Sequence, residues 1–244
     1  LYEPNMVLGR SNKFFLKYAK RIICYSKNIK KFPKKYYNKI FLINSLLRKS
    51  IYKSKLDNKI ELKNTFKILV LGGSQGAKFF DENISRLLIS LNKINKIYLI
   101  QQVSNKKIKD ELIKKYNEIG LQNEVFEFCD QMHQKYKKAD FAITRSGAST
   151  ISELIFYNIP FLAIPYPYAK DNHQYYNAKE YLDKKLCWLI NENSYDSNQV
   201  LTLISNLIVN KEEYFYKKNN MKKFSNQNTW GDINRILIGL INEN

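Results

Sequence analysis

Three cysteines in 244 residues, Cys24, Cys129 and Cys187, stand far apart and form no CxxC pair. An odd, scattered set of thiols excludes a disulfide framework and a cysteine-based zinc site, and it points to a reducing compartment. Histidine is scarcer still, with His133 and His173 alone. There is no H-x-x-x-H, no D-x-D and no nucleophile elbow, so neither metal-dependent nor triad chemistry is expected. No apolar stretch reaches the roughly 18–20 residues that a membrane-spanning helix needs; candidates such as Phe161 to Pro165 are broken by Pro or Lys. Arginine is sparse, at 6 against 35 Lys. Nucleic-acid readers rely on Arg forks and exposed aromatics in a recognisable module, and none is present, so nucleic acid is not an expected partner.

What the chain does have is apolar surface and positive charge. With 44% hydrophobic and 14% aromatic residues it buries a core, and its length suits one large or two small domains. Its 41 basic residues exceed its 22 acidic ones by 19. Spread in ones and twos among Asn, Ile and Tyr, the Lys read first as a solvated coat. An anionic membrane surface is the functional alternative, because each Lys near acidic lipid contributes about 1 kcal/mol. The opening Leu1-Tyr2-Glu3-Pro4-Asn5 has no initiator Met, basic n-region or apolar signal core, and is expected to be the interior of a longer polypeptide.

Periodicity orders the rest. A helix over Asn12 to Lys20 and strands over Arg21 to Tyr25 and Lys39 to Ile43 are expected first, followed by a polar, Lys-rich boundary between Ile43 and Thr65. Strands then follow over Phe66 to Leu71, Ile97 to Val103, Glu124 to Cys129, Phe141 to Thr144, Phe161 to Ile164 and Cys187 to Ile190. Helical spacing runs over Asp81 to Leu91, Lys106 to Asn117, Met132 to Lys138, Ser149 to Tyr157 and Asn172 to Leu182. Such alternation predicts an α/β fold, a Rossmann-like parallel sheet covered on both faces, with its ligand at the carboxyl ends of the strands. Three helices close the chain, Ser197 to Val209, Lys211 to Phe224 and Thr229 to Asn242.

Three strand-to-helix turns carry the chemistry. Gly72-Gly73-Ser74-Gln75-Gly76-Ala77 allows close backbone approach, and free amides at a helix start suit a diphosphate. It is out of register with GxGxxG and lacks the Lys and Ser/Thr of a P-loop, which leaves NAD and ATP unsupported; a ligand-free tight turn is the plain alternative. In Arg145-Ser146-Gly147-Ala148-Ser149-Thr150-Ile151-Ser152-Glu153, Ser149 or Thr150 can cap the helix. Glu153 either completes a capping box with Thr150 or offers a carboxylate to a vicinal diol. Pro165 to Ala178 sends a polar loop into a helix whose start holds His173 and Gln174, short-range hydrogen-bond groups suited to sugar hydroxyls or an acetamido group. His133 is expected to be silent.

These motifs resemble the MurG family of peptidoglycan glycosyltransferases. The likeness rests on GGSQGA at Gly72 to Ala77, RSGASTISEL at Arg145 to Leu154, PYPYAKDNHQYYNA at Pro165 to Ala178 and, more weakly, EPNMVLGRSN at Glu3 to Asn12. It implies a GT-B architecture in which residues 1–47 end the acceptor domain, 48–228 form the UDP-sugar domain, and the helix from 229 to 244 returns to the first. It implies UDP-N-acetylglucosamine as donor, with Ser74 at the diphosphate, Cys129 at uracil, Ala148, Ser149, Thr150, Ile151, Ser152 and Glu153 along the donor, and Glu153 on the ribose. His173 and Gln174 would hold the sugar, and Asn5 and Arg48 also fall on donor-contacting positions. Gly72, Gly73 and Gly76 would form the phosphate turn. The implied reaction is an inverting, metal-independent transfer to undecaprenyl-pyrophosphoryl-MurNAc-pentapeptide, without cofactor, at the cytoplasmic face of the bacterial inner membrane. The base is expected upstream of Leu1, in a part of the acceptor domain outside this chain. The family's His-Glu-Gln-Asn is here Tyr2-Glu3-Pro4-Asn5, and its Asn-Pro-x-x-Arg is Asn44-Ser45-Leu46-Leu47-Arg48. Another UDP-sugar GT-B enzyme, a UDP-N-acetylglucosamine epimerase and an inactive basic fragment remain open alternatives.

Overall fold

The computed structural model describes residues 1–54, 65–73, 78–225 and 230–242. Two parallel sheets organise them. In the smaller, β1 (Tyr2–Glu3), β2 (Ile22–Cys24) and β3 (Ile40–Leu42) lie side by side in that order. The helix expected over 12–20 is instead α1 (Arg10–Phe15). Buried Glu3 explains its early start, because its carboxylate accepts the Gly9 amide at 2.7 Å and the Asn12 side-chain amide at 3.0 Å. Lys39 explains the early end: its ammonium donates to the carbonyls of Leu16 and Lys17, both at 3.0 Å, and so ties down the frayed terminus. A 3₁₀ turn (Lys34–Lys39) and a helix α2 (Lys49–Ser54), inside the stretch read as a polar boundary, were not expected.

The larger sheet contains β4 (Phe66–Leu71), β5 (Ile97–Gln102), β6 (Gln122–Phe126), β7 (Phe141–Thr144), β8 (Phe161–Ala163) and β9 (Cys187–Leu189). Every pairing is parallel, in the order β6-β5-β4-β7-β8-β9. The strand expected over 124–129 sits two to three residues earlier. Its partner β5 ends at Gln102, which pairs with Phe126, so the ladder offers residues 127–129 no partner and they form a loop.

Helices cover both faces. A π turn (Phe80–Ile84) leads into α3 (Ser85–Ile94), followed by α4 (Lys106–Glu118), α5 (Met132–Lys138), α6 (Ala148–Phe156), α7 (His173–Asp183), α8 (Ser197–Val209), α9 (Glu212–Ser225) and α10 (Trp230–Asn242). Asn105 and Asp196 cap α4 and α8 by accepting backbone amides of their first turns. The alternation within β4 is the reason for two cores: Ile68 and Val70 join the cluster containing Phe80, Leu87 and Ile204, whereas Leu69 and Leu71 join Ile151, Leu154 and Phe161. Among the described residues no helix is long and apolar enough to cross a membrane.

Charge follows this architecture more closely than the scattered pattern of Lys suggests. Residues 1–47 hold eleven basic residues and one acid, the buried Glu3. More than half of the net +19 therefore lies in about a fifth of the chain.

Candidate functional site

Counted from β4, the larger sheet has the order 3-2-1-4-5-6, and chain direction across it reverses between β4 and β7. A crevice opens at such a switch point, outside the carboxyl ends of the two strands, and that is where open α/β sheets bind ligands. Two of the three turns singled out by sequence flank it. Behind β4, Gly72 is buried and Gly73 takes φ +64°, a left-handed conformation that costs a residue with a Cβ about 1–2 kcal/mol. Ser74 and Gly76 lie outside the described residues.

Behind β7, Gly147 rather than Ser149 or Thr150 is the N-cap of α6, in extended conformation and without a side-chain cap. The capping-box reading of Glu153 therefore fails, because the helix begins at Ala148 and places Glu153 well beyond its first turn. The amides at the start of α6 are left for another acceptor, at the positive end of the helix dipole. Ala148 and Thr150 are half-buried here and Ser149 is exposed. Ile151 is fully buried with its amide bonded to Gly147 O at 3.1 Å, and Ser152 Oγ donates to Ala148 O at 2.8 Å.

Glu153 is 6% exposed, and both carboxylate oxygens are engaged. Tyr136 donates its hydroxyl to Oε2 at 2.6 Å, and Arg48 approaches Oε1 at 3.3 Å from the chain between the two sheets. Burial and the adjacent carboxylate push the Tyr136 phenol far above its ordinary range, so it remains a donor. Thus Arg48 and Glu153, two residues chosen by sequence and 105 positions apart, meet.

Arg145 braces the crevice from below. Its guanidinium donates to the carbonyls of Ile164 and Pro165 at 3.1 and 3.0 Å, forms an ion pair with Glu192 at 2.5 Å, and lies 4.9 Å from the ring centre of Phe80. Burial lowers its pKa, and the hydrogen bond it donates to Glu192 opposes that shift. One buried cation thereby ties together the ends of β7 and β8, the segment after β9 and the approach to α3.

The loop after β8 reaches α7 through two consecutive left-handed residues, Asp171 (φ 54°) and Asn172 (φ 55°). Non-glycine residues in this region carry strain, which concentrates at functional loops. Asp171 pairs with Lys31 at 2.5 Å and lies 3.8 Å from Arg10, both in the first 47 residues; the hydrogen bond from Lys31 holds its carboxyl below the usual range. His173 Nδ1 donates to Lys170 O at 2.9 Å, and Gln174 Oε1 accepts the Tyr166 amide at 3.0 Å, so both help shape the loop.

Asn5 reaches the same region through Asn177, which is 1% exposed. The Asn177 side chain accepts the Met6 amide at 2.8 Å and donates to Asn5 Oδ1 at 3.0 Å and Ser146 O at 3.1 Å. Half-buried Cys129 stands in the loop beyond β6 beside Phe128, which is 78% exposed. Sequence reasoning did not assign roles to Asn177, Arg145, Tyr136 or Phe128. Asn177 carried a usable signal, since it follows Gln174 by three positions and His173 by four on one helix and so shares their face. Tyr136, on a short Lys-rich helix, carried none.

Comparison with known proteins agrees with this geometry. The sequence model described as glycosyltransferase family 28 C-terminal domain matches residues 67–230. A Pelagibacter ubique protein named UDP-N-acetylglucosamine--N-acetylmuramyl-(pentapeptide) pyrophosphoryl-undecaprenol N-acetylglucosamine transferase is 49% identical across 100% of this chain, which spans 68% of that relative. A Rickettsia felis protein of the same name is 39% identical over 86% of this chain and 61% of its own length. The crystal structure of Acinetobacter baumannii MurG superposes with a TM-score of 0.75 at 21% identity, covering 97% of this chain and 65% of that one. The chain thus spans roughly two thirds of the proteins it matches. A parallel sheet with its glycine turns at the switch point, a family match over most of the chain and a near-half-identical relative converge on one assignment: this chain belongs to glycosyltransferase family 28, in the MurG family.

Proposed function

We propose that the crevice between β4 and β7 binds UDP-N-acetylglucosamine, and that this chain is the donor-binding part of an enzyme that transfers N-acetylglucosamine to undecaprenyl-pyrophosphoryl-MurNAc-pentapeptide. The observation that carries the reading is the arrangement around that crevice: an uncapped helix start and a left-handed glycine behind adjacent strands, with an Arg–carboxylate pair further along the same helix. These suit two of the four parts of a nucleotide sugar, the helix amides and the close-approach glycine the diphosphate and the carboxylate the ribose diol. On this reading Ser74 and the α6 amides face the diphosphate, Glu153 the ribose, and His173 and Gln174 the sugar. Cys129 takes the uracil through its backbone, with Phe128 offering an aromatic face. Asn5 closes the site from the first domain, which ends near residue 47, and Arg48 from the start of the donor domain, which runs to 228; the last helix returns across the joint.

The reaction is an inverting displacement. The acceptor C4 hydroxyl attacks the anomeric carbon, the bond to the diphosphate breaks, and UDP leaves with the charge that develops. Fixed amides aimed at that diphosphate bind the transition state more strongly than the ground state. No residue of this chain is assigned as the base. Calorimetry tests the donor reading: the 244-residue chain takes up UDP-N-acetylglucosamine, and Glu153→Gln weakens binding about tenfold or more, the scale of a hydrogen bond to a charged group. No heat at millimolar donor would sink it.

The enzyme works at the cytoplasmic face of the inner membrane on this reading. The basic first 47 residues and the exposed Phe14, Phe15 and Tyr18 beside Lys13, Lys17 and Lys20 support that placement. Co-sedimentation with vesicles rich in anionic lipid is expected at low salt and lost by about 0.5 M, where the screening length falls to a few ångströms; equal binding to neutral vesicles would argue against it.

A further inference from the structure

We propose that Tyr136 is a positioning residue for donor recognition, fixing one oxygen of Glu153 so that the other is presented to the ribose diol, with Arg48 as its exchangeable occupant until the donor arrives. The proposal rests on Glu153 being the ribose acceptor. A buried carboxylate without partners is costly, and one with only solvent-facing partners would sample several rotamers. Here the two oxygens differ in kind. Oε2 receives a phenol at 2.6 Å, within the range of a strong hydrogen bond from a neutral hydroxyl to a carboxylate, and that phenol is 2% exposed. Oε1 receives a single longer contact, at 3.3 Å, from an Arg48 side chain that is 58% exposed.

The immobile half of this arrangement is braced from behind. The Tyr136 ring stacks on Tyr157, centroids 5.4 Å apart and planes 21° from parallel, and the Tyr157 hydroxyl bonds Ser54 Oγ on α2. Tyr136 therefore cannot follow Glu153 if the carboxylate turns. The mobile half suits a nucleoside diphosphate: a guanidinium released from Oε1 has a diphosphate to pair with, and a ribose hydroxyl takes its place, so neither charge is left unpaired. Entry of the nucleotide sugar exchanges one hydrogen-bond donor on Oε1 for another instead of adding a donor to an unpartnered carboxylate.

The test compares UDP with 2′,3′-dideoxyuridine diphosphate, binding to the 244-residue chain by calorimetry, with far-UV circular dichroism and thermal melting as folding controls. The unmodified chain should prefer UDP about tenfold or more. Tyr136→Phe, which removes the hydroxyl and keeps the ring, should reduce that preference to about threefold or less while binding the dideoxy compound as before; Tyr136→Met repeats the measurement if the Phe variant does not fold. The Glu153→Gln, Tyr136→Phe double variant should show no further loss, because both changes remove one coupled interaction. A full tenfold preference retained by folded Tyr136→Phe overturns the positioning role. No preference in the unmodified chain, or one untouched by Glu153→Gln, instead overturns the ribose assignment of Glu153, so the two failures are distinguishable.

Discussion

Arg145→Met is expected to lower the melting temperature by roughly 6–20 °C and to reduce donor binding below detection. The side chain is 6% exposed, and its removal strands the Glu192 carboxylate and two carbonyls, those of Ile164 and Pro165. Breaking a buried ion pair from one side costs about 3–5 kcal/mol, and each kcal/mol moves the midpoint of a chain this size by about 2–4 °C. Binding suffers separately, because the carbonyls that Arg145 holds lie at the root of the loop carrying His173 and Gln174. Arg145→Lys keeps the charge but not the planar fork that reaches two carbonyls and a carboxylate together, so it should recover part of the stability and little of the binding. Thermal melting and calorimetry on the two variants check this; a Met variant within 2 °C of the parent would show that the bracing is dispensable.

Asn177→Leu is the second large effect, placed at the joint between the sheets. Leu fills the space of Asn yet leaves the Met6 amide, Asn5 Oδ1 and Ser146 O without their partner in a buried seam. Each unsatisfied buried group costs about 1–3 kcal/mol, so a loss of roughly 3 kcal/mol is expected once relaxation admits some water. Asn177→Asp should also be poor, since it preserves the acceptor for Met6 but turns a carboxylate oxygen toward two other acceptors. Hydrogen exchange at the Met6 amide should accelerate in both variants before other core amides change. An unchanged exchange rate would mean that the seam is held by other contacts.

How far sequence carries toward this structure depends on the range of the signal. The Phe66–Leu71 strand and the Met132–Lys138 and Ser197–Val209 helices have boundaries that follow from their own residues, through an apolar run closed by glycines for the strand and helical spacing for the helices. Where the determinant is distant, expectation fails. The loop at 127–129 is set by the length of β5, and α1 ends where Lys39 arrives from 22 residues away. The site divides in the same way. Glycines and small residues announced the turns themselves, because a left-handed or close-approach backbone restricts composition. The partnership of Glu153 with Tyr136 and Arg48 depends on side chains from three separated segments, and nothing in their spacing encodes it.

The small sheet has a consequence for how the molecule opens. Its strands are two and three residues long, and its buried cluster contains six members, Leu8, Leu16, Ile22, Cys24, Ile29 and Phe32. A unit with so little apolar burial gains much of its persistence from neighbours, here through Asn177 and Asp171 on the larger sheet's side. It is the natural first step of sub-global unfolding, reached at a lower free energy than loss of the six-stranded core. Amides of β2 therefore serve as a gauge of the joint: any ligand that tightens the contact between Asn5, Met6 and Asn177 should slow their exchange.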